Sequence, residues 1–280
     1  MNALNSWLTV RLLVLNTMLL GTLGAVAAPA PRIVSLSGTI SEIICDLGRQ
    51  SQLVGVDVTS TYPAALDKLP KVGHTRNISA EGVLAQNPTL VVGTTESLKP
   101  EVAAQLKSAG VRVELFKQAY SVDGTKQLIK DVAAAFGASA EVPALLKKLD
   151  AQLVQVRKPA KAPKVLFIYA RGTGTMMVAG QGTQVEKIIQ LAGGQNAATG
   201  FADFKPLTPE ALVAANPDVL LLFDSGLSSL GGKTGLLQVP GIAQTTAGRT
   251  GRVVEMDGQL LTGFGPRLGL VASELAKKIQ

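Results

Sequence analysis

With a single cysteine, Cys45, this 280-residue chain cannot close a disulfide within itself. Cys45 lies in ISEIICDLG among apolar neighbours, where it reads as a small buried hydrophobe, so stability must come from packing. A single histidine, His74, is too few for a protein-built zinc or manganese site, which gathers three or four His, Asp or Glu ligands. Aromatic residues make up only 4% of the chain, and the net charge of +7 is spread without a basic stripe carrying stacking aromatics. That argues against nucleic acid as a partner and leaves a mildly cationic surface suited to an anionic ligand or to solubility. No Gly-x-Ser-x-Gly elbow occurs, and the lone His and lone Cys stand far apart in sequence, so no catalytic set for an enzyme is visible.

The only tryptophan, Trp7, falls in a stretch that is set aside from the fold. Residues 1–27 carry one positive charge (Arg11), then the run LLVLNTMLLGTLGAVA, then the small-x-small site Ala25-Val26-Ala27. This reads as a secretory signal peptide, because the apolar run is interrupted and shorter than the roughly 20 residues of a membrane span. No cysteine directly follows the expected cut, so a lipid anchor has no visible attachment point. The expectation is export from a bacterial cytoplasm to the periplasm, with a mature chain starting near Ala28 and no membrane span in that form.

About 250 residues remain, enough for two modest domains. Short apolar runs (IVSL, QLVGVD, TLVVGT, VRVELF) alternate with helical stretches, as in βαβ units with a buried, mostly parallel sheet. Thr39 or Ser41 is the expected cap of the first helix and Gly48 its left-handed stop. The pattern restarts at VLFIYA and continues through VLLLFD and RVVEMD. Between the halves, Val142, Leu145, Leu146, Leu149, Leu153 and Val156 recur at three- and four-residue steps, the mark of an amphipathic helix. Its roughly 18 residues would span about 27 Å. The expected fold is α/β: an N-terminal lobe over residues 28–138, a backbone helix over 139–160, a C-terminal lobe over 161–280, and a ligand cleft between the lobes.

One phrase occurs twice. Ile78 to Pro88 reads ISAEGVLAQNP and Leu207 to Pro217 reads LTPEALVAANP, each followed by a buried strand. In both, a hydroxyl residue caps a helix, a glutamate enters its first turn, and Asn-Pro ends it. Glu81 and Glu210 therefore occupy matching places in the two lobes. Either they serve the helix dipole alone, or they are a pair of docking charges for a two-fold partner.

The segment GQGTQVEKI resembles a glycine-rich phosphate loop but lacks the third glycine and the Lys-Ser/Thr ending; Thr183 and Glu186 fit a capping box instead. Helix amides there could still meet an anion. His74 follows Val72-Gly73 in a loop, the usual place for binding residues, and stands two residues before Arg76. A lone histidine is either a satisfied surface residue or a ligand. One neutral nitrogen donor beside an arginine suits a metal carried inside an anionic macrocycle, as iron is in haem, because the macrocycle supplies the other donors.

These stretches, together with KVLFIYARGTGTMMVAGQGT, AGGQNAATGF and LLTGFGPR, resemble the periplasmic haem-binding proteins of bacterial haem-uptake ABC transporters. The resemblance covers essentially the whole mature chain; its first segment is shared with siderophore and cobalamin binders. In that family the loop before Ser79-Ala80-Glu81 usually reads Gly-Tyr-Met-Arg, with the tyrosine as axial ligand. Here it reads Gly73-His74-Thr75-Arg76, so the resemblance implies His74 as the iron ligand and Arg76 as a propionate contact. Some relatives carry a histidine in the C-lobe loop where Arg171 stands here; Arg171 would meet a propionate or an iron-bound water. Tyr169 and Tyr62 are further oxygen donors, Tyr62 alternatively a turn aromatic beside Pro63. Phe264 either lines the cleft or packs in the core, and Met176 and Met177 read as core filling. The resemblance also implies that Glu81 and Glu210 dock on an ABC permease dimer served by its ATPase subunits.

Overall fold

The computed structural model describes residues 30–280; the expected signal peptide lies outside the described residues. The first half builds β1 (Ile33–Ser35), α1 (Gly38–Asp46), β2 (Leu53–Val56), α2 (Ala80–Leu84), β3 (Leu90–Thr94), α3 (Pro100–Ser108), β4 (Arg112–Phe116) and α4 (Val122–Ala135). Its four strands pair in the order β2-β1-β3-β4, every neighbour parallel. β1 and β3 are buried along their whole length, which explains why they read as unbroken apolar runs rather than alternating ones.

After α5 (Val142–Val154), the second half builds β5 (Lys164–Ala170), β6 (Met176–Ala179), α6 (Gln184–Leu191), β7 (Gln195–Asn196), β8 (Phe204–Pro206), α7 (Pro209–Ala215), β9 (Val219–Phe223), α8 (Asp224–Ser229), α9 (Gly232–Leu237), α10 (Thr246–Thr250), β10 (Val253–Met256), α11 (Gly258–Thr262) and α12 (Leu268–Lys278). The sheet runs β10-β9-β5-β6-β8, with β7 beside β5. It is mixed: β9, β10 and β7 run parallel to their partners, while β6 pairs antiparallel with β5 and β8. A hairpin through Arg171–Thr175, closed by Arg171 N–H on the Thr175 carbonyl at 2.9 Å, makes that reversal.

Two of the expected local details differ. The first helix is capped by Ser37, whose Oγ accepts Ile40 N–H, and neither Thr39 nor Ser41 performs that role. Thr39 Oγ1 instead donates to the Gly263 carbonyl at 2.5 Å, and Ser41 Oγ bonds Ser35 Oγ at 2.9 Å. Gly48 does take the left-handed conformation, at φ 71°. The connecting helix is also shorter than expected, 13 residues or about 20 Å of rise. Pro143 sits in its first turn, the residues before it form a turn, and the chain leaves the helix at Gln155 ahead of Pro159.

Short as it is, α5 lies at the meeting point of the two sheets. Leu149 is fully buried in one apolar cluster that also holds Ile33, Ile43 and Leu128 from the first half and Phe167, Ile188 and Leu275 from the second. Leu145, Leu146 and Leu153 pack against the same cluster, while Val154 faces solvent. The core therefore runs continuously through both lobes. Leu149→Ala is expected to cost about 2–5 kcal/mol, read as a lowered urea midpoint, because the void opens where both lobes pack.

The repeated phrase is one structure used twice. Ser79 Oγ accepts Gly82 N–H at 3.1 Å and Thr208 Oγ1 accepts Ala211 N–H at 3.2 Å. Asn87 and Asn216 both take left-handed conformations, φ 48° and 38°, before their prolines. Glu81 and Glu210 are exposed in the matching first turns.

Candidate functional site

Because both halves run their parallel strands toward one region, the loops at the carboxyl ends of the strands meet there and enclose a cleft of about 870 Å³. The first lobe contributes the loops after β1 (Ser37, Thr39), β2 (Thr59, Thr61), β3 (Glu96) and β4 (Gln118, Tyr120), together with His74, Thr75 and Arg76. The second lobe contributes Tyr169 from the end of β5 and Arg171 just after it, Asp224 after β9, and Asp257 and Gln259 after β10. The volume falls within the range of cofactor-sized sites.

His74, half-buried, is held by its own loop. Its N–H donates to Asn77 Oδ1 at 3.1 Å and its carbonyl accepts Asn77 N–H at 2.8 Å. Its ring Nδ1 accepts Arg76 N–H at 3.2 Å. The Tyr169 ring meets Phe223 edge-on at 6.2 Å, and the Arg171 guanidinium stands 5.8 Å from the centre of the Tyr169 ring.

The charges in the cleft are unequally engaged. Asp257 caps α11 by accepting Leu260 N–H at 2.7 Å, and Asp224 accepts Ser225 N–H at 2.6 Å. Burial and the nearby Glu96 carboxylate push the Tyr120 phenol above its usual range. Neither Arg76 nor Arg171 forms a salt bridge among the described residues. The cleft thus presents two guanidiniums without a carboxylate partner among the described residues, while Asp224 and Asp257 are each taken up by a backbone N–H. Among the described residues no three His, Cys, Asp or Glu side chains group to hold a bare metal ion.

Two residues singled out in the sequence lie elsewhere. Phe264, 3% exposed and at φ 47°, turns into the core and packs edge-on against Tyr120 at 5.5 Å. Tyr62 is 42% exposed and lies outside the cleft lining, its ring covered by the Arg267 guanidinium at 3.6 Å. Cys45 is half-buried rather than fully buried; burial and the nearby Asp46 and Glu42 push its thiol up to about 11, which keeps it unreactive. The glycine-rich segment is a helix cap: Thr183 Oγ1 accepts Glu186 N–H at 3.2 Å, and the Glu186 carboxylate takes Gly182 N–H at 2.8 Å, the amide an anion would have used.

Reasoning from sequence missed Tyr120, Glu96 and Gln259. The first two follow β3 and β4 directly, so the rule that ligands meet the carboxyl ends of strands would have found them. Gln259 follows β10 and falls under the same rule, but its bonding partners have no local signal. Its Oε1 accepts Thr61 N–H, Thr61 Oγ1–H and Tyr62 N–H at 2.6, 2.9 and 2.8 Å, and its Nε2 donates to the Gly38 carbonyl at 3.0 Å. Beside it, the Gly263 carbonyl accepts from Thr39 and Gln118, and the Phe264 carbonyl from Thr125. The floor of the cleft is clasped across the two lobes.

The sequence profile of the periplasmic binding protein family matches residues 33–260. The chain belongs to that family. Among solved structures, this periplasmic binding protein is similar to the periplasmic haem-binding protein RhuT from Roseiflexus sp. RS-1, with 43% identity and a TM-score of 0.86 over 89% of this chain and 98% of that one. It is also similar to BhuT, a periplasmic haem-binding protein solved with two haems, with 39% identity and a TM-score of 0.83 over 89% and 97% of the two chains. More distant curated relatives include an uncharacterised ABC transporter substrate-binding lipoprotein of Bacillus subtilis, 29% identical over 89% of this chain and 79% of its own. A cobalamin-binding protein of Halobacterium salinarum is 26% identical over 85% of this chain and 66% of its own.

Proposed function

We propose that this chain is a periplasmic haem carrier that holds its cargo in the inter-lobe cleft and delivers it to the permease dimer of an ABC importer, served by its ATPase subunits. The observation that carries the reading is one imidazole in a single cleft with two guanidiniums that have no carboxylate partner among the described residues. The 43% identity to a haem-binding protein supports haem over the corrinoid alternative, whose relative stands at 26%. His74 supplies the axial nitrogen from the first lobe, and Tyr169 offers an oxygen from the second. Arg76 and Arg171 receive the propionates, the planar guanidinium fork matching a carboxylate. The process is binding and release, with no bond made or broken in the cargo's ring.

Titrating the purified protein with haemin tests this. A saturable shift of the Soret band is the expected result, and cobalamin should give no saturable absorbance change. Absence of a saturable haemin shift sinks the proposal.

Glu81 and Glu210 are the docking charges in this reading, one on each copy of the repeated cap. The double variant Glu81→Lys, Glu210→Lys should lower haem uptake into permease-bearing vesicles about tenfold or more, since charge reversal at an interface converts attraction to repulsion. Haemin affinity of the free protein should stay unchanged. Normal uptake by the variant would remove the glutamates from docking.

A further inference from the structure

Asp57, the residue after β2, is fully buried, and no lysine or arginine pairs with it among the described residues. Three donors from its own turn meet it instead. Its Oδ1 accepts the Ser60 hydroxyl at 2.6 Å, and its Oδ2 accepts the Thr59 N–H at 3.1 Å and the Thr59 hydroxyl. Ser60 Oγ also lies 2.9 Å from Ser41 Oγ of α1, and Asp57 N–H donates to the Ser35 carbonyl of β1 at 3.0 Å. A buried carboxyl is costly unless hydrogen-bonded, so this side chain holds the turn over residues 57–60 in one shape, braced on both β1 and α1.

The same turn grips the loop that carries His74. Val58 N–H donates to the Gly73 carbonyl at 3.0 Å. Among the described residues, no other hydrogen bond reaches the backbone of residues 73–76 from outside their own loop. Val72 N–H is fixed on the Val56 carbonyl of β2 at 2.9 Å, so freedom begins at the next residue. That residue is Gly73, at φ 116°, where a chain without a Cβ pivots easily. We infer that Asp57 is a positioning residue for His74. By bracing the turn it fixes the Val58 N–H, and through it the Gly73 carbonyl and the point from which the imidazole enters the cleft. The inference rests on the proposed ligation by His74.

Asp57→Ala removes both acceptors, whereas Asp57→Asn keeps a carbonyl oxygen for Thr59 and offers an N–H to Ser60 Oγ. In the empty protein, Asp57→Ala should speed amide hydrogen exchange at Val58 about tenfold or more beyond any change in β9. Loaded with haemin, it should pass haemin to apomyoglobin about tenfold faster and show a shifted Soret band, the low end of the effect of groups behind a metal ligand. Asp57→Asn should restore exchange, rate and band. In a His74→Ala background, Asp57→Ala should add about twofold or less, because a group acting through His74 has nothing left to position. A full tenfold there makes Asp57 a general support of the cleft and overturns the inference, as does an unchanged rate and band in Asp57→Ala. If Asp57→Ala does not fold, Ser60→Ala, which takes a single hydroxyl from Oδ1, carries the same comparison at about threefold. An unchanged Soret band in His74→Ala defeats ligation and takes this inference with it. A changed band there beside a silent Asp57→Ala defeats the positioning role alone.

Discussion

Haemin bound to His74→Ala is expected to show an altered Soret band and affinity lower by about 100-fold, roughly 2.7 kcal/mol. The magnitude follows from a comparison. Loss of a group that merely hydrogen-bonds a metal ligand costs about 10–100-fold, so loss of the ligand itself belongs at or beyond the upper end of that range. Binding would not vanish, because Arg76, Arg171 and Tyr169 still line the cleft. Equilibrium titration with spectra recorded at each step separates the contributions: the band reports the axial donor, and the midpoint reports the sum of donor and propionate contacts. An unchanged band would assign the iron to Tyr169.

Arg267→Ala is expected to destabilise the fold by about 3–5 kcal/mol at neutral pH, the usual cost of leaving one member of a buried ion pair alone. Arg267 grips Glu42 of α1 with two hydrogen bonds of 2.9 Å, and the side chains are 14% and 5% exposed. Burial raises the Glu42 carboxyl above its ordinary range, and Arg267 is the main influence pulling it back down. Without Arg267 the carboxyl rises further, so the folded state takes up a proton at a pH where the unfolded chain does not. The sign follows: the loss relative to the unsubstituted protein is greatest above the folded-state value and shrinks as pH falls toward the ordinary carboxylate range. Urea unfolding of both proteins at pH 7 and pH 5 checks this, and a loss that stays constant or grows on acidification would contradict it.

The legible parts of this fold were local. Ser79, Thr208 and Thr183 each cap the helix that starts one residue later, a relation contained within four residues of sequence. The α/β alternation was equally plain, because β3 and β9 are continuous apolar runs bounded by turns. The cleft loop from His74 to Arg76 was legible as a polar insert between a strand and a capped helix. What escaped depends on partners far away in the chain. Nothing near Thr39 says that its hydroxyl will meet Gly263, 224 positions on, in place of capping its own helix. The same holds for Gln259 with Thr61 and for Arg267 with Glu42. Phe264 was ambiguous because GFGPR sits beside the cleft in sequence; a left-handed backbone at that residue sends the ring inward.

The clasp at the cleft floor bears on how a transporter could tell a full carrier from an empty one. Gln259 and the Gly263 carbonyl tie the lobes together with hydrogen bonds, and the apolar cluster around Leu149 continues from one to the other. In the proposed carrier role, a molecule so joined is expected to present almost the same outline to a membrane partner whether or not it is loaded. Silhouette would then convey little information, and discrimination would fall to the few groups at the mouth that cargo touches directly. Idle carriers in excess would queue at the same doorway as laden ones, making throughput depend on the ratio of the two rather than on the total.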